Sequence, residues 1–222
     1  MSTGQSFLTS TIGKKYLVAI AAIVWCLFVM VHMLGNMLIF FGPMSYNKYS
    51  HQLTSNPFIY VAETLLLVFI LLHAFLALSL KIRNFSSKPK LYAVTAGGAK
   101  ASPVSSKTMA YTGLAILGFL IWHLATFKFG DNYVANYNGV EMRDIYTLIV
   151  QKFHQPYYVV AYVIAMGFVG MHLYHGVKSI FQSLGVSHPR YNVHIKMFGY
   201  TYAIVVALGF ISQPLYVAFF TR

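Results

Sequence analysis

PYYVVAYVIAMGFVGMHLYHGVKSI, residues 156–180, decides the fold. Its first twenty-two residues contain no Asp, Glu, Lys or Arg. At about 1.5 Å per residue the stretch is long enough to cross roughly 30 Å of hydrocarbon as an α-helix. Pro156 opens it, where a missing N–H and a fixed φ suit the first helical turn. An ionisable side chain, His172, stands well inside it.

Four more stretches of the same kind lie at 16–41, 57–80, 108–127 and 198–220, so the chain 1–222 reads as a single membrane domain of five helices. Pro57 opens the second as Pro156 opens the fourth, and Gly42-Pro43 ends the first. Pro214, in the last turns of the fifth, is expected to kink or fray it. Composition agrees: 58% of residues are hydrophobic and 9% charged, with mean hydropathy +0.62. A soluble domain carries about 25% charged residues. The expected class is therefore an all-α integral membrane protein. The first apolar run is too long for a signal-peptide core and is read as a span. Cys26, the single cysteine, lies inside that run, which leaves a packing role and neither a disulfide framework nor a thiolate metal site. The net charge of +12 does not point to nucleic acid, because the basic residues cluster between apolar runs rather than along a water-facing stripe.

Orientation follows from those basic residues, since cytoplasmic loops hold the excess of Lys and Arg. With the N-terminus inside, eleven of the sixteen are inner: Lys14, Lys15, Lys81, Arg83, Lys88, Lys90, Lys100, Lys107, Lys178, Arg190 and Lys196. The outer segments hold Lys48, Lys128, Arg143, Lys152 and Arg222, together with three of the four acids, Asp131, Glu141 and Asp144. The C-terminus is then outside. The inner linker, 84–106, is cationic and irregular in composition, suited to anionic lipid or a docked subunit. In the outer linker, residues 140–153 carry Ile145, Leu148 and Ile149 on one side, as a helix lying on the membrane would.

Four of the nine histidines, His32, His73, His123 and His172, fall within the first four spans, one in each, and the fifth span has none. Ionisable groups inside membranes are rare and mark functional sites. Each lies about sixteen residues from the start of its helix, hence roughly 24 Å along it. Successive helices run in opposite directions, so the common offset sorts the histidines into an outer layer, His32 with His123, and an inner layer, His73 with His172. Two neutral imidazoles at one depth on different helices can ligate a haem iron from both sides. The expected separation of the layers is about 15 Å. No Cys-x-x-Cys-His sequence is present for covalent attachment, which leaves two noncovalent haems b.

Gly35, Gly118, Gly170 and Gly176 lie within five residues of a proposed ligand and suit close approach of a flat macrocycle or of another helix. Lys81, Arg83 and Lys178 inside, and Lys128 outside, are candidate partners for anionic haem propionates. His175, three residues after His172, is a propionate or supporting partner; His172 matches the depth of His73. His51, His154, His188 and His194 belong to loops or helix ends.

These residues resemble the membrane cytochrome b subunit of succinate dehydrogenases and fumarate reductases, in its five-helix, dihaem, b558 form. The resemblance runs along essentially the whole chain. It is carried by Val31-His32-Met33, His73-Ala74-Phe75-Leu76-Ala77, Trp122-His123-Leu124, and His172 with Gly176 four residues on. Ser106-Lys107-Thr108-Met109, Ser179 and Phe181-Gln182-Ser183-Leu184-Gly185 add to it. It implies a bacterial cytoplasmic membrane, an iron–sulfur subunit and a flavoprotein subunit on the inner face, and electron transfer to or from quinone, menaquinone by subunit type. The dicarboxylate chemistry would be on the partner subunits.

Glu63, the only acid within a span, is then a candidate proton relay for quinone. Asn36, Tyr46 and Lys48 are candidates for an outer quinone pocket. Gly170 stands where some dihaem relatives carry a glutamate, so no transmembrane proton path through that position is expected. Two other classes fit parts of the pattern: a dihaem cytochrome b subunit of a hydrogenase or formate dehydrogenase, and a small proton-coupled transporter.

Overall fold

The computed structural model describes residues 7, 10–86, 104–186 and 188–221; most of the inner linker, including Lys88, Lys90 and Lys100, and also Arg222, lie outside the described residues. Helix α1, Thr11–Asn36, starts where the Ser10 hydroxyl accepts the Gly13 N–H at 3.0 Å. It tightens into a 3₁₀ turn, Met37–Phe41, and stops at Gly42, whose φ of 89° is cheap only for glycine. Helix α2 is Pro43–Thr54 and α3 is Phe58–Ser86. Helix α4, Val104–His123, widens into a π turn, Leu124–Lys128. Strands β1, Val134–Tyr137, and β2, Val140–Arg143, form a hairpin through Asn138 and Gly139, both at positive φ. Helices α5, Ile145–Phe153, α6, Pro156–Ser183, and α7, Pro189–Phe220, complete the chain.

Five helices are long and apolar enough to cross a membrane: Thr11–Phe41, Phe58–Asn84, Thr108–Lys128, Pro156–Ser183 and Pro189–Phe220. Each matches an expected span, but most overrun it. Backbone hydrogen bonding continues past the apolar segment, as in α7, which begins at Pro189 where the His188 side chain accepts the Arg190 N–H. Pro214 lies buried within α7, and the helix runs through it to Phe220 instead of fraying.

Helix α1 packs against α3, α6 and α7, and α6 lies between α4 and α7. Small residues permit the closest approaches: a Cβ on Gly170 would lie 3.1 Å from that of Ala207, and Met33 fills the place a Gly209 side chain would take. Helix α3 is peripheral, with Phe58, Tyr60, Leu71 and Phe75 largely exposed, as lipid-facing residues are. The α3–α4 contact is sparse.

At one end of the bundle α2, the hairpin and α5 form a cap, which corrects two expectations. Val140–Arg143 is a strand and not the start of a helix, one small hairpin in an otherwise helical membrane fold. The apolar side of α5 does not lie free for the membrane: Leu148 and Ile149 are buried in the protein. Asn47, fully buried, joins the cap by donating to Asp144 Oδ1 at 2.7 Å and accepting the Tyr146 N–H at 3.0 Å. Arg143 donates to the carbonyls of Lys128, Gly130 and Asp131, satisfying the end of α4. Burial disfavours the charged form of Asp144, but the Thr147 N–H, the Thr147 hydroxyl and Asn47 outweigh it and hold the carboxyl below its usual range.

Candidate functional site

The four spanning histidines meet in two pairs. His32 on α1 faces His123 on α4 with ring centres 5.9 Å apart and planes at 87°. His73 on α3 faces His172 on α6 with centres 6.3 Å apart and planes at 69°. Around the interior the neighbours are α1 with α3, α4 with α6, α6 with α1 and, less closely, α3 with α4. Each histidine pair therefore bridges a diagonal, α1 to α4 or α3 to α6, where the rings and not the backbones approach.

That spacing suits a metal held between the rings. Metal–nitrogen bonds of about 2 Å on each side, plus ~1 Å from each nitrogen to its ring centre, put the centres roughly 6 Å apart. The Nδ1 positions are engaged elsewhere. His73 Nδ1 lies 3.3 Å from the Val18 carbonyl, His172 Nδ1 3.2 Å from Thr112 Oγ1, and His123 Nδ1 3.0 Å from Tyr162 Oη. An outer partner on one nitrogen with the other left free is the usual state of a metal-ligating imidazole. His32 differs: its ring nitrogens lie 3.4 and 3.5 Å from Asn36 Nδ2, which also donates to the His32 carbonyl at 2.7 Å.

Aromatic rings surround the first pair. Phe28 stacks on His32 at 5.2 Å and Phe210 reaches it from α7, while Phe119, Phe127 and Tyr162 flank His123. The π turn brings Phe127 back to within 5.5 Å of the His123 ring. Helix α7, which adds no histidine to either pair, seats α1 through Gln213, which donates to the Met33 carbonyl.

The helix contacts measure the separation of the pairs. Val18, at the level of His73, is fourteen residues from His32 along α1, about 21 Å. Thr112, at the level of His172, is eleven residues from His123 on α4, about 16 Å. Both exceed the expected 15 Å.

Other expected residues are placed as follows. His172, not His175, faces His73. Lys81 and Arg83 stand exposed at the end of α3, and Lys178 is half-buried on α6. Lys128 pairs with Glu63, joining two expected candidates in one ion pair across the α3–α4 seam, and the protein leaves more than a third of each side chain uncovered. Tyr46 donates to Asn36 Oδ1 at 2.5 Å, whereas Lys48 instead lines a cleft of about 260 Å³ between α2 and the hairpin. Neither Asn36 nor Tyr46 is among the residues lining that cleft. Among the glycines, Gly35 accommodates Tyr49, Gly170 packs on α7, Gly176 makes an ordinary contact with Met109, and Gly118 is exposed with open space around it. Gly113, not singled out by sequence, lies against the His172 ring: a Cβ there would be 3.3 Å from His172 Cε1.

Thr112 and Tyr162 were also missed. The signal was the antiparallel register of α4 and α6: eleven residues from Thr112 to His123 run opposite ten from Tyr162 to His172. The fold and its five apolar helices define an α-helical membrane protein. No protein-family model, curated protein or solved structure matches the chain.

Proposed function

We propose that the chain is a dihaem cytochrome b membrane anchor that carries electrons between the iron–sulfur subunit of a succinate dehydrogenase or fumarate reductase and membrane quinone, menaquinone being the expected one. The observation that supports it is the pair of histidine pairs: two ring-to-ring distances of 5.9 and 6.3 Å, each across a bundle diagonal. A transporter's proton path has no need of paired imidazoles at a metal-spanning distance on opposite helices.

In this reading His32 and His123 hold the outer haem, and His73 and His172 the inner one, through neutral ring nitrogens. Bound haem supplies a one-electron carrier at each level. The aromatic shell of Phe28, Phe119, Phe127 and Phe210 keeps water from the outer pair, and the hydrogen bonds to Nδ1 hold three of the four rings in orientation. Lys81, Arg83 and Lys178 serve the inner propionates; Lys128, with Glu63 beside it, serves the outer edge. Glu63 is the acid available for proton exchange with quinone. The N-terminus is cytoplasmic by the distribution of Lys and Arg, and the family resemblance puts the partner subunits on that same face.

The test is purification of the native complex from membranes. Two b-type haems per chain in a reduced-minus-oxidised spectrum, with a flavoprotein and an iron–sulfur protein bound, are the expected result. Absence of a b-type α-band overturns the haem reading, and a nickel or molybdenum subunit in place of the flavoprotein overturns the assigned complex.

A further inference from the structure

Thr112 is buried on α4, 5% exposed, with Oγ1 3.0 Å from the Met109 carbonyl and 3.2 Å from His172 Nδ1. A hydroxyl has one proton to give. The Met109 carbonyl can only accept, so the Thr112 proton goes there, and Oγ1 meets His172 with a lone pair. Nδ1 of His172 must then carry the hydrogen. The same logic holds across the pair, where His73 Nδ1 faces the Val18 carbonyl, another pure acceptor. Both inner rings thus keep their hydrogen on Nδ1 and present Nε2 as the free lone pair.

The outer pair lacks this definition. Tyr162 Oη can donate to or accept from His123, and the group beside the His32 ring, Asn36 Nδ2, is a donor. Gly113, next to Thr112, adds a steric limit at the inner site, because any side chain there would press on His172 Cε1. One turn of α4 therefore both orients the ring and selects its tautomer.

We infer that Thr112 is a positioning residue that fixes the tautomer of His172 and, by accepting its Nδ1 hydrogen, sets how strongly Nε2 donates to the inner haem iron. This assignment rests on the dihaem reading. An imidazole whose N–H is taken by an acceptor is the more basic ligand and favours the oxidised metal. Removing the acceptor should therefore raise the reduction potential of the inner haem alone.

The experiment is a redox titration of both haems in the purified native complex for the wild type, Thr112→Val and Thr112→Ser, with the inner haem identified as the one lost in His172→Ala. Thr112→Val is expected to move the inner potential positive and change the electron paramagnetic resonance signal of that haem, leaving the outer haem unmoved. Thr112→Ser is expected to restore both to wild type. Thr112→Ala removes the hydroxyl without adding a methyl and is read the same way if the valine variant fails to assemble. Two haems with an unchanged inner potential in the valine and alanine variants overturn the assignment and leave the dihaem reading intact, as does a serine variant that behaves like valine. A wild-type complex without haem overturns both.

Discussion

His32 on α1 and His123 on α4 face each other at 5.9 Å with their planes at 87°, although their helices stand across the bundle and not side by side. This relationship couples the two residues: neither alone spans the diagonal. His32→Ala and His123→Ala are expected to lose one and the same haem, and His73→Ala and His172→Ala the other. Spectra and redox titrations of the four variants check it; loss of the outer haem from His73→Ala would refute the pairing.

Gly113 has no room for a larger side chain beside His172. Alanine requires the ring to yield by a few tenths of an ångström, whereas valine adds branches it cannot avoid. Gly113→Val is expected to lose the inner haem selectively, with the outer haem retained. Haem stoichiometry in the assembled complex is the measurement.

Glu63 and Lys128 meet at the α3–α4 seam, both partly exposed. Glu63→Gln is expected to leave haem content unchanged while lowering quinone turnover several-fold. Unchanged turnover would remove Glu63 from the proton-exchange role.

Asn47 is buried at the centre of the cap and joins Asp144 to the Tyr146 N–H. Asn47→Ala leaves the Tyr146 N–H without its partner and takes one of three donors from the Asp144 carboxyl, at a cost of about 2 kcal/mol. Hydrogen exchange should rise in α2, α5 and the hairpin before it rises in α6 and α7.

Asp144 gives the cap an acid limit. Its folded carboxyl lies below the unfolded value of about 3.9. The stability it contributes is complete above that unfolded value and is lost as pH falls through the lower folded one. Cap stability, followed by hydrogen exchange, should be flat from neutral pH to about pH 5 and fall below about pH 4. Asp144→Asn should flatten that acid limb, and an unchanged limb would exclude Asp144 as its source.

The spans and histidine layers were legible because hydrocarbon thickness and helical rise act on long stretches, such as 156–180, whatever their neighbours do. The cap was harder. Asn138-Gly139 is a strong hairpin signal, yet its strands are short and joined to a helix whose apolar side looks membrane-facing until α2 is placed over it. Thr112 and Gly113 were hidden for another reason: their significance depends on which face of α4 turns to His172, and small residues occur on both faces. Glu63 was visible, but its partner was not, since the π turn rather than a plain helix sets where Lys128 emerges.

The diagonal placement of the ligand pairs has a consequence for biogenesis. In the proposed function, each prosthetic group acts as a cross-tie between helices that hardly touch, and binding energy at the ties becomes stability of the whole bundle. The peripheral α3, held chiefly by α1, depends most on its tie through His73. Chains synthesised under haem starvation should then be released to membrane proteases with α3 unfastened first, so that cofactor supply sets how much anchor accumulates.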